Sequence, residues 1–129
     1  MKTIINTDNA PAPLGPYNQA VLTGNTLYIS GQISINPETN ELVLSDIKSE
    51  TLQVMKNLGA ILEAADLTFN NVVKSSIFIS NMDDFAPINE VYGSFFDDAN
   101  APARETVQVA KLPKGVNVEI SMIASVMGI

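Results

Sequence analysis

A chain of 129 residues, 46% apolar and 16% charged, fits one domain spanning residues 1–129 with its own core, and it is too apolar to be disordered. It contains no cysteine and no histidine, which excludes disulfides, thiolate nucleophiles, Cys-based zinc sites and His-dependent triads, so proton transfer at neutral pH falls to carboxylate, lysine, tyrosine or water. A net charge of -7 without any cluster of Lys or Arg disfavours nucleic acid, and the absence of a membrane-length apolar run or of a signal-like apolar core in Met1 to Asn6 leaves a cytoplasmic protein as the simplest expectation.

Along the chain, residues 8–17 hold Pro11, Pro13, Gly15 and Pro16, which deny the segment regular hydrogen bonding and give it a stiff, extended course ending at Tyr17. Gln19 to Thr23 and Thr26 to Ser30 flank Gly24-Asn25, a pair suited to a two-residue hairpin. The second arm runs into Ser30-Gly31-Gln32, where a glycine signals either a bulge or a close approach to the backbone. Asn36 to Asn40 is a polar turn before a short apolar stretch, Leu42 to Leu44.

From Ser45 to Ala65 the apolar residues Ile47, Val54, Met55, Leu58, Ile61, Leu62 and Ala65 fall at helical spacing, with Ser45 or Asp46 as the cap. The stripe predicts core and no chemistry. Val72 to Ser80 reads as a strand, with Val73, Ile77 and Ile79 on one face and Phe78 on the other. A second helix follows, capped by Asp83 or Asp84, with Pro87 in its first turn and Phe85, Ile88, Val91, Tyr92, Phe95 and Phe96 every three to four residues. Two helices cover one face of such a sheet.

The last third carries the chemistry. Residues 102–109 alternate, with Val107 and Val109 opposed to Arg104, Thr106 and Gln108. Residues 116–126 alternate again, with Val116, Val118, Ile120, Met122, Ala124 and Val126 opposed to Asn117, Glu119, Ser121 and Ser125. If the two segments pair as a hairpin, the register that turns both apolar sets to one core sets Thr106 beside Glu119, with Arg104 near by on the outer face. Two readings of that patch stand open: a cross-strand ion pair in water, or an Arg fork that binds a carboxylate beside a Glu that moves a proton.

Pro102-Ala103-Arg104, the strand after it, Leu112-Pro113-Lys114 and Glu119 resemble the signature of the RidA (YjgF-type) family of enamine/imine deaminases. Ala10 to Tyr17, Ser30-Gly31-Gln32 and Phe85 to Tyr92 agree with the family pattern in the same order. The resemblance implies a chorismate-mutase-like α+β fold and a homotrimer with a central barrel, with sites in the clefts between subunits. It also implies a hydrolase that converts 2-iminobutanoate and 2-iminopropanoate, released by pyridoxal-phosphate-dependent dehydratases, to 2-oxo acids and ammonia. Arg104 would take the substrate carboxylate and Glu119 the water and its proton. Tyr17, Ser30, Gly31, Asn89 and Thr106 would line the pocket, with no metal or organic cofactor.

Two departures accompany the resemblance: Glu105 where many relatives have Ser or Thr, and Thr106 where Cys is frequent. Alternation points Glu105 away from the Arg104 face. The loop of Asp97 to Ala101 also differs in length among relatives. A non-catalytic protein that binds a small 2-oxo acid is the alternative function, and the acidic surface argues against an RNA-cleaving one.

Overall fold

The computed structural model describes residues 1–126; the last three positions of the expected 1–129 domain lie outside the described residues. Among the described residues, eight strands and two α-helices run in the order β1 (Lys2–Ile5), β2 (Ala20–Thr23), β3 (Thr26–Gln32), β4 (Ile35–Asn36), β5 (Glu41–Leu42), α1 (Ile47–Ala64), β6 (Val72–Ile79), α2 (Phe85–Gly93), β7 (Ala103–Gln108) and β8 (Val118–Ser125). Among the described residues a six-stranded mixed sheet has the order β1-β2-β3-β8-β6-β7, and β4 with β5 makes a separate small ribbon.

The early elements follow their local signals. Thr23 pairs with Thr26 across Gly24-Asn25, and Gly24 takes a φ of 56°, the left-handed conformation a tight hairpin asks of its first central residue. Asp46 caps α1 by accepting from the Ser49 amide at 2.7 Å. The cap at α2 differs from expectation. Asp84 stands at the N-cap without a side-chain bond, because a 3-10 turn over Met82–Asp84 precedes the helix, and Asn81 caps that turn instead. Lys2–Ile5 is a strand that its four residues alone do not announce; it exists by pairing with β2.

The expected β7–β8 hairpin does not form. β7 runs parallel to β6, with Ser75 opposite Arg104 and Ile77 opposite Thr106, and β8 lies antiparallel between β3 and β6. The reason is connectivity. Parallel neighbours need a crossover, which α2 supplies between β6 and β7. The segment from Val109 to Asn117, with its 3-10 turn at Pro113–Gly115, is far longer than a two-residue turn and carries the chain past β6 to the middle of the sheet.

Even-numbered β8 residues from Val118 to Ala124 are fully or almost fully buried and pack with Val54, Met55, Leu58, Ile61 and Leu62 of α1. This places both helices on one sheet face. β6 contributes Ser75, Ile77 and Ile79 to that side, whereas Val73 is exposed beside a register shift, contrary to its expected place with the two isoleucines. The opposite face holds Tyr28, Ile123, Lys74, Ser76, Ser121, Glu105, Glu119, Phe78 and Val107, joined by the cross-strand register. No helix of the described residues is long and apolar enough to cross a membrane.

Candidate functional site

The inverted facing of β7 governs the site. Alternation correctly groups Arg104 with Thr106 and Gln108, yet the ladder to Ser75 and Ile77 turns that group toward α2, not toward the open face. Glu119 pairs with Phe78 on the open face. Arg104 and Glu119 of one chain therefore stand on opposite sides of the sheet, which corrects the expectation that the two share a face. The expectation fails because a residue pattern fixes which side chains point together, while strand order decides what they point at.

The Arg104 quarter is built by α2. Phe85, Asn89 and Tyr92 recur at helical spacing on one face of that helix. Arg104 donates from Nη1 to the Asn89 Oδ1 at 2.7 Å, and its guanidinium carbon lies 5.7 Å from the Phe85 ring centroid and 5.0 Å from that of Tyr92. The planar cation is thus held by an amide and two aromatic rings, with no carboxylate among the described residues bonded to it, and it keeps donors for an anion. Tyr92 is buried and donates its hydroxyl to Ser75 Oγ at 2.8 Å. Burial pushes the Tyr92 phenol up, against smaller opposing pulls from the Ser75 bond and the Arg104 charge. On the same side, the Thr106 hydroxyl is buried without a hydrogen-bond partner among the described residues.

The Glu119 quarter is built by backbone. Ile29 pairs with Met122 but Gln32 pairs with Ile120, so Ser30 and Gly31 together oppose one residue of β8. This is a bulge. A Cβ on Gly31 would lie 2.1 Å from Glu119 Oε2 and 2.9 Å from its Cδ, so the carboxyl group occupies the space that any larger residue would fill. Burial holds the Glu119 carboxyl above its ordinary value. Ser30 Oγ donates to the Asn18 carbonyl at 2.6 Å and so anchors the lead-in. Tyr17 and Gly31 line one small hollow, and the Tyr17 hydroxyl oxygen accepts from the Leu14 amide at 3.1 Å.

The seven expected residues accordingly fall into two groups: Asn89, Arg104 and Thr106 beside α2, and Tyr17, Ser30, Gly31 and Glu119 around the bulge. Ser75 was not anticipated; a lone serine amid the apolar alternation of β6 is its only signal. A larger open hollow of about 490 Å³, bordered by Lys56, Gly59, Glu63 and Phe69, touches none of the seven. Among the described residues, no group of three Asp or Glu side chains stands close enough to hold a metal ion.

An edge strand that offers an aromatic-backed arginine, and a central bulge that shelters a glutamate, define a class of small α+β protein with two distinct polar patches on opposite faces of one mixed sheet. The profile of the endoribonuclease L-PSP family matches residues 7–126, and the chain belongs to this family, that of the YjgF, RidA and RutC proteins. A RutC family protein of Pyrococcus horikoshii is 51% identical over 124 residues, covering 96% of this chain and 98% of its own. The 2-iminobutanoate/2-iminopropanoate deaminase of Mus musculus is 46% identical over 124 residues, covering 96% of this chain and 91% of its own. The crystal structure of Escherichia coli TdcF with bound serine superposes with a TM-score of 0.90 at 43% identity, covering 95% of this chain and 98% of that one.

Proposed function

We propose that the protein hydrolyses reactive 2-enamine/2-imine acids to 2-oxo acids and ammonia, at sites formed between three copies of the chain. The observation that carries the reading is the division of the site: an anion-binding half beside α2 and a proton-transfer half at the bulge, on opposite faces of one sheet. Two different patches that need each other in trans make a heterologous contact, and such contacts form a ring when the rotation between copies closes. The open face supports the same assembly. Tyr28 and Val107 are 50% and 42% exposed there, an apolar surface that a second copy would cover.

In the joined site, Arg104 of one copy grips the substrate carboxylate in a bidentate fork and thereby orients the adjacent imine carbon. Glu119 of the next copy takes a proton from water as its oxygen adds to that carbon, and the C=N electron pair moves to nitrogen. The same carboxyl returns that proton to the nitrogen, then takes the proton of the new hydroxyl and passes it to the amine, so that the C–N bond breaks and ammonia leaves as the 2-oxo group forms. A carboxyl raised by burial is better matched to this exchange near neutral pH than an ordinary one. The reading expects the protein in the cytoplasm, beside dehydratases that release such imines, and the name of the mouse relative supports the same substrate class.

Mixing two impaired variants tests both the chemistry and the geometry. Imine is generated by a threonine dehydratase and 2-oxo acid release is followed. Arg104→Ala and Glu119→Gln are each expected to cut acceleration to about a tenth of wild type or less, whereas refolding them together restores about a quarter of the wild-type rate, the share of sites that draw both intact residues from neighbouring copies. No recovery in mixed oligomers would remove the trans site. A second reading, ligand binding without turnover, is favoured by the serine bound to the TdcF relative; it predicts 2-oxobutanoate binding to wild type with no acceleration.

A further inference from the structure

Glu50 is a glutamate with no exposed surface, on the buried side of α1 that Val54, Met55, Leu58, Ile61 and Leu62 fill together with Thr51 and Asn57. Burying a carboxylate is expensive unless it is well satisfied, and removing its partners is more so. Its two oxygens accept from the Asn117 amide at 2.7 Å, the Asn117 side-chain nitrogen at 2.9 Å and the Val118 amide at 3.2 Å. All three donors are neutral, and all belong to the two residues immediately before Glu119.

That location matters because the sheet itself leaves Glu119 half-fixed. The β3–β8 ladder is interrupted by the bulge and ends at Gln32 opposite Ile120, one residue short of Glu119, so on the β3 side no ladder pair sets its position. Phe78 pairs with it on the other side. Asn57, two turns further along the same face of α1, donates to the Ile33 and Ile35 carbonyls at 3.0 and 2.9 Å and holds the chain just after Gly31. The helix thereby grips both strands next to the place where they lose each other.

We propose that Glu50 is a positioning residue: through Asn117 and Val118 it fixes the start of β8 so that the Glu119 carboxyl stays lodged against Gly31. The consequence for turnover rests on the imine-hydrolase reading; the placement of Glu119 does not.

Two variants and two readouts separate these. Glu50→Asp withdraws the carboxylate by one methylene and cannot reach all three donors. Glu50→Gln keeps the length and one acceptor oxygen, and an Asn117 side-chain flip can meet its new amide. The Glu119 carboxyl is titrated by carbon-13 NMR, assigned with Glu119→Gln, alongside imine kinetics. Glu50→Asp is expected to drop the Glu119 midpoint toward the ordinary carboxylate range and to cut kcat by ~10- to 100-fold with KM within about twofold. Glu50→Gln is expected to stay near wild type in both. A folded Glu50→Asp with the wild-type Glu119 midpoint would overturn the proposal, whatever its kinetics. If wild type itself shows no imine turnover, the titration still decides the placement. Should Glu50→Asp fail to fold, Asn117→Ala, which deletes one donor and leaves both amides, is read by the same criterion.

Discussion

Arg104 and Glu119 are held by opposite means. The arginine sits on an edge strand, and its neighbours are side chains of α2: an amide at its tip and two rings on its plane. The glutamate sits on a central strand, and its neighbour is a stretch of main chain bared by Gly31. The difference teaches where each is fragile. An arginine in a cradle of side chains loses function when its own shape changes, whereas a carboxyl seated on backbone is lost as readily by adding one carbon to the residue beneath it.

The largest expected effect exploits that contrast. Gly31→Ala sets a methyl carbon where Glu119 Oε2 and Cδ now lie, so the carboxyl must swing out. The backbone of Gly31 is not in the left-handed region, so the fold is expected to survive. Imine turnover should fall by ~10²–10⁴, the loss typical of a removed proton-transfer group, and by as much as in Glu119→Gln. Additive losses in the double variant would show that Gly31 acts elsewhere.

Next comes the arginine. Arg104→Ala removes charge-assisted bonds worth ~1.5–3 kcal/mol, so kcat/KM should fall by about 10- to 100-fold for a 2-imino acid. Arg104→Lys keeps the charge but loses the planar fork and much of the ring stacking, and is expected to recover less than half of that loss in free energy. Full recovery by lysine, measured as kcat/KM, would mean that a point charge suffices and that Phe85 and Tyr92 are mere packing.

These expectations depend on facts of unequal legibility in the sequence. The hairpin at Gly24-Asn25, the long helix with its Asp46 cap, and the alternation of β8 are local, and local chemistry announces them. The facing of Arg104 is not local. Alternation grouped it correctly with Thr106, but the side of the sheet depends on β7 joining β6 in parallel, a long-range choice made by α2. Glu50 is hidden for a related reason: at the helix start a glutamate looks like an ordinary dipole-complementing residue, and its partners Asn117 and Val118 are far along the chain. Gly31 lay between these cases, since a glycine ending a strand announces a close approach without saying to what.

A smaller effect separates the cost of seating Glu119 from its use. Its folded-state pKa is raised by burial, so the native state binds more protons than the unfolded chain between the ordinary carboxylate value and the raised one. Stability then falls as pH rises through that window. Glu119→Gln is therefore expected to melt roughly 1–3 °C higher than wild type at pH 7, partial exposure keeping the gain small, and the advantage should vanish below the ordinary carboxylate range. A gain that persisted at low pH would trace to packing and not to charge.

The smallest effect belongs to Glu105, the acidic residue nearest Arg104 in sequence. It points to the open face, where Ser76 donates to one oxygen and Lys74 Nζ lies 3.0 Å from the other. Those partners, the Ser76 bond first, hold its carboxyl below the ordinary value, so the stability it lends is present above that value and fades as pH falls through the depressed one. Glu105 is exposed, and exposed pairs contribute little. Because strand alternation puts it on the far side of the sheet from Arg104, its charge does not oppose a carboxylate gripped by that arginine in the same copy. Glu105→Ser should leave KM within about twofold and the melting temperature within about 1 °C. A severalfold drop in KM, read in the same coupled assay, would instead bring the open face of a neighbouring copy close enough for Glu105 to repel the substrate, and so would redraw which surfaces meet in the ring.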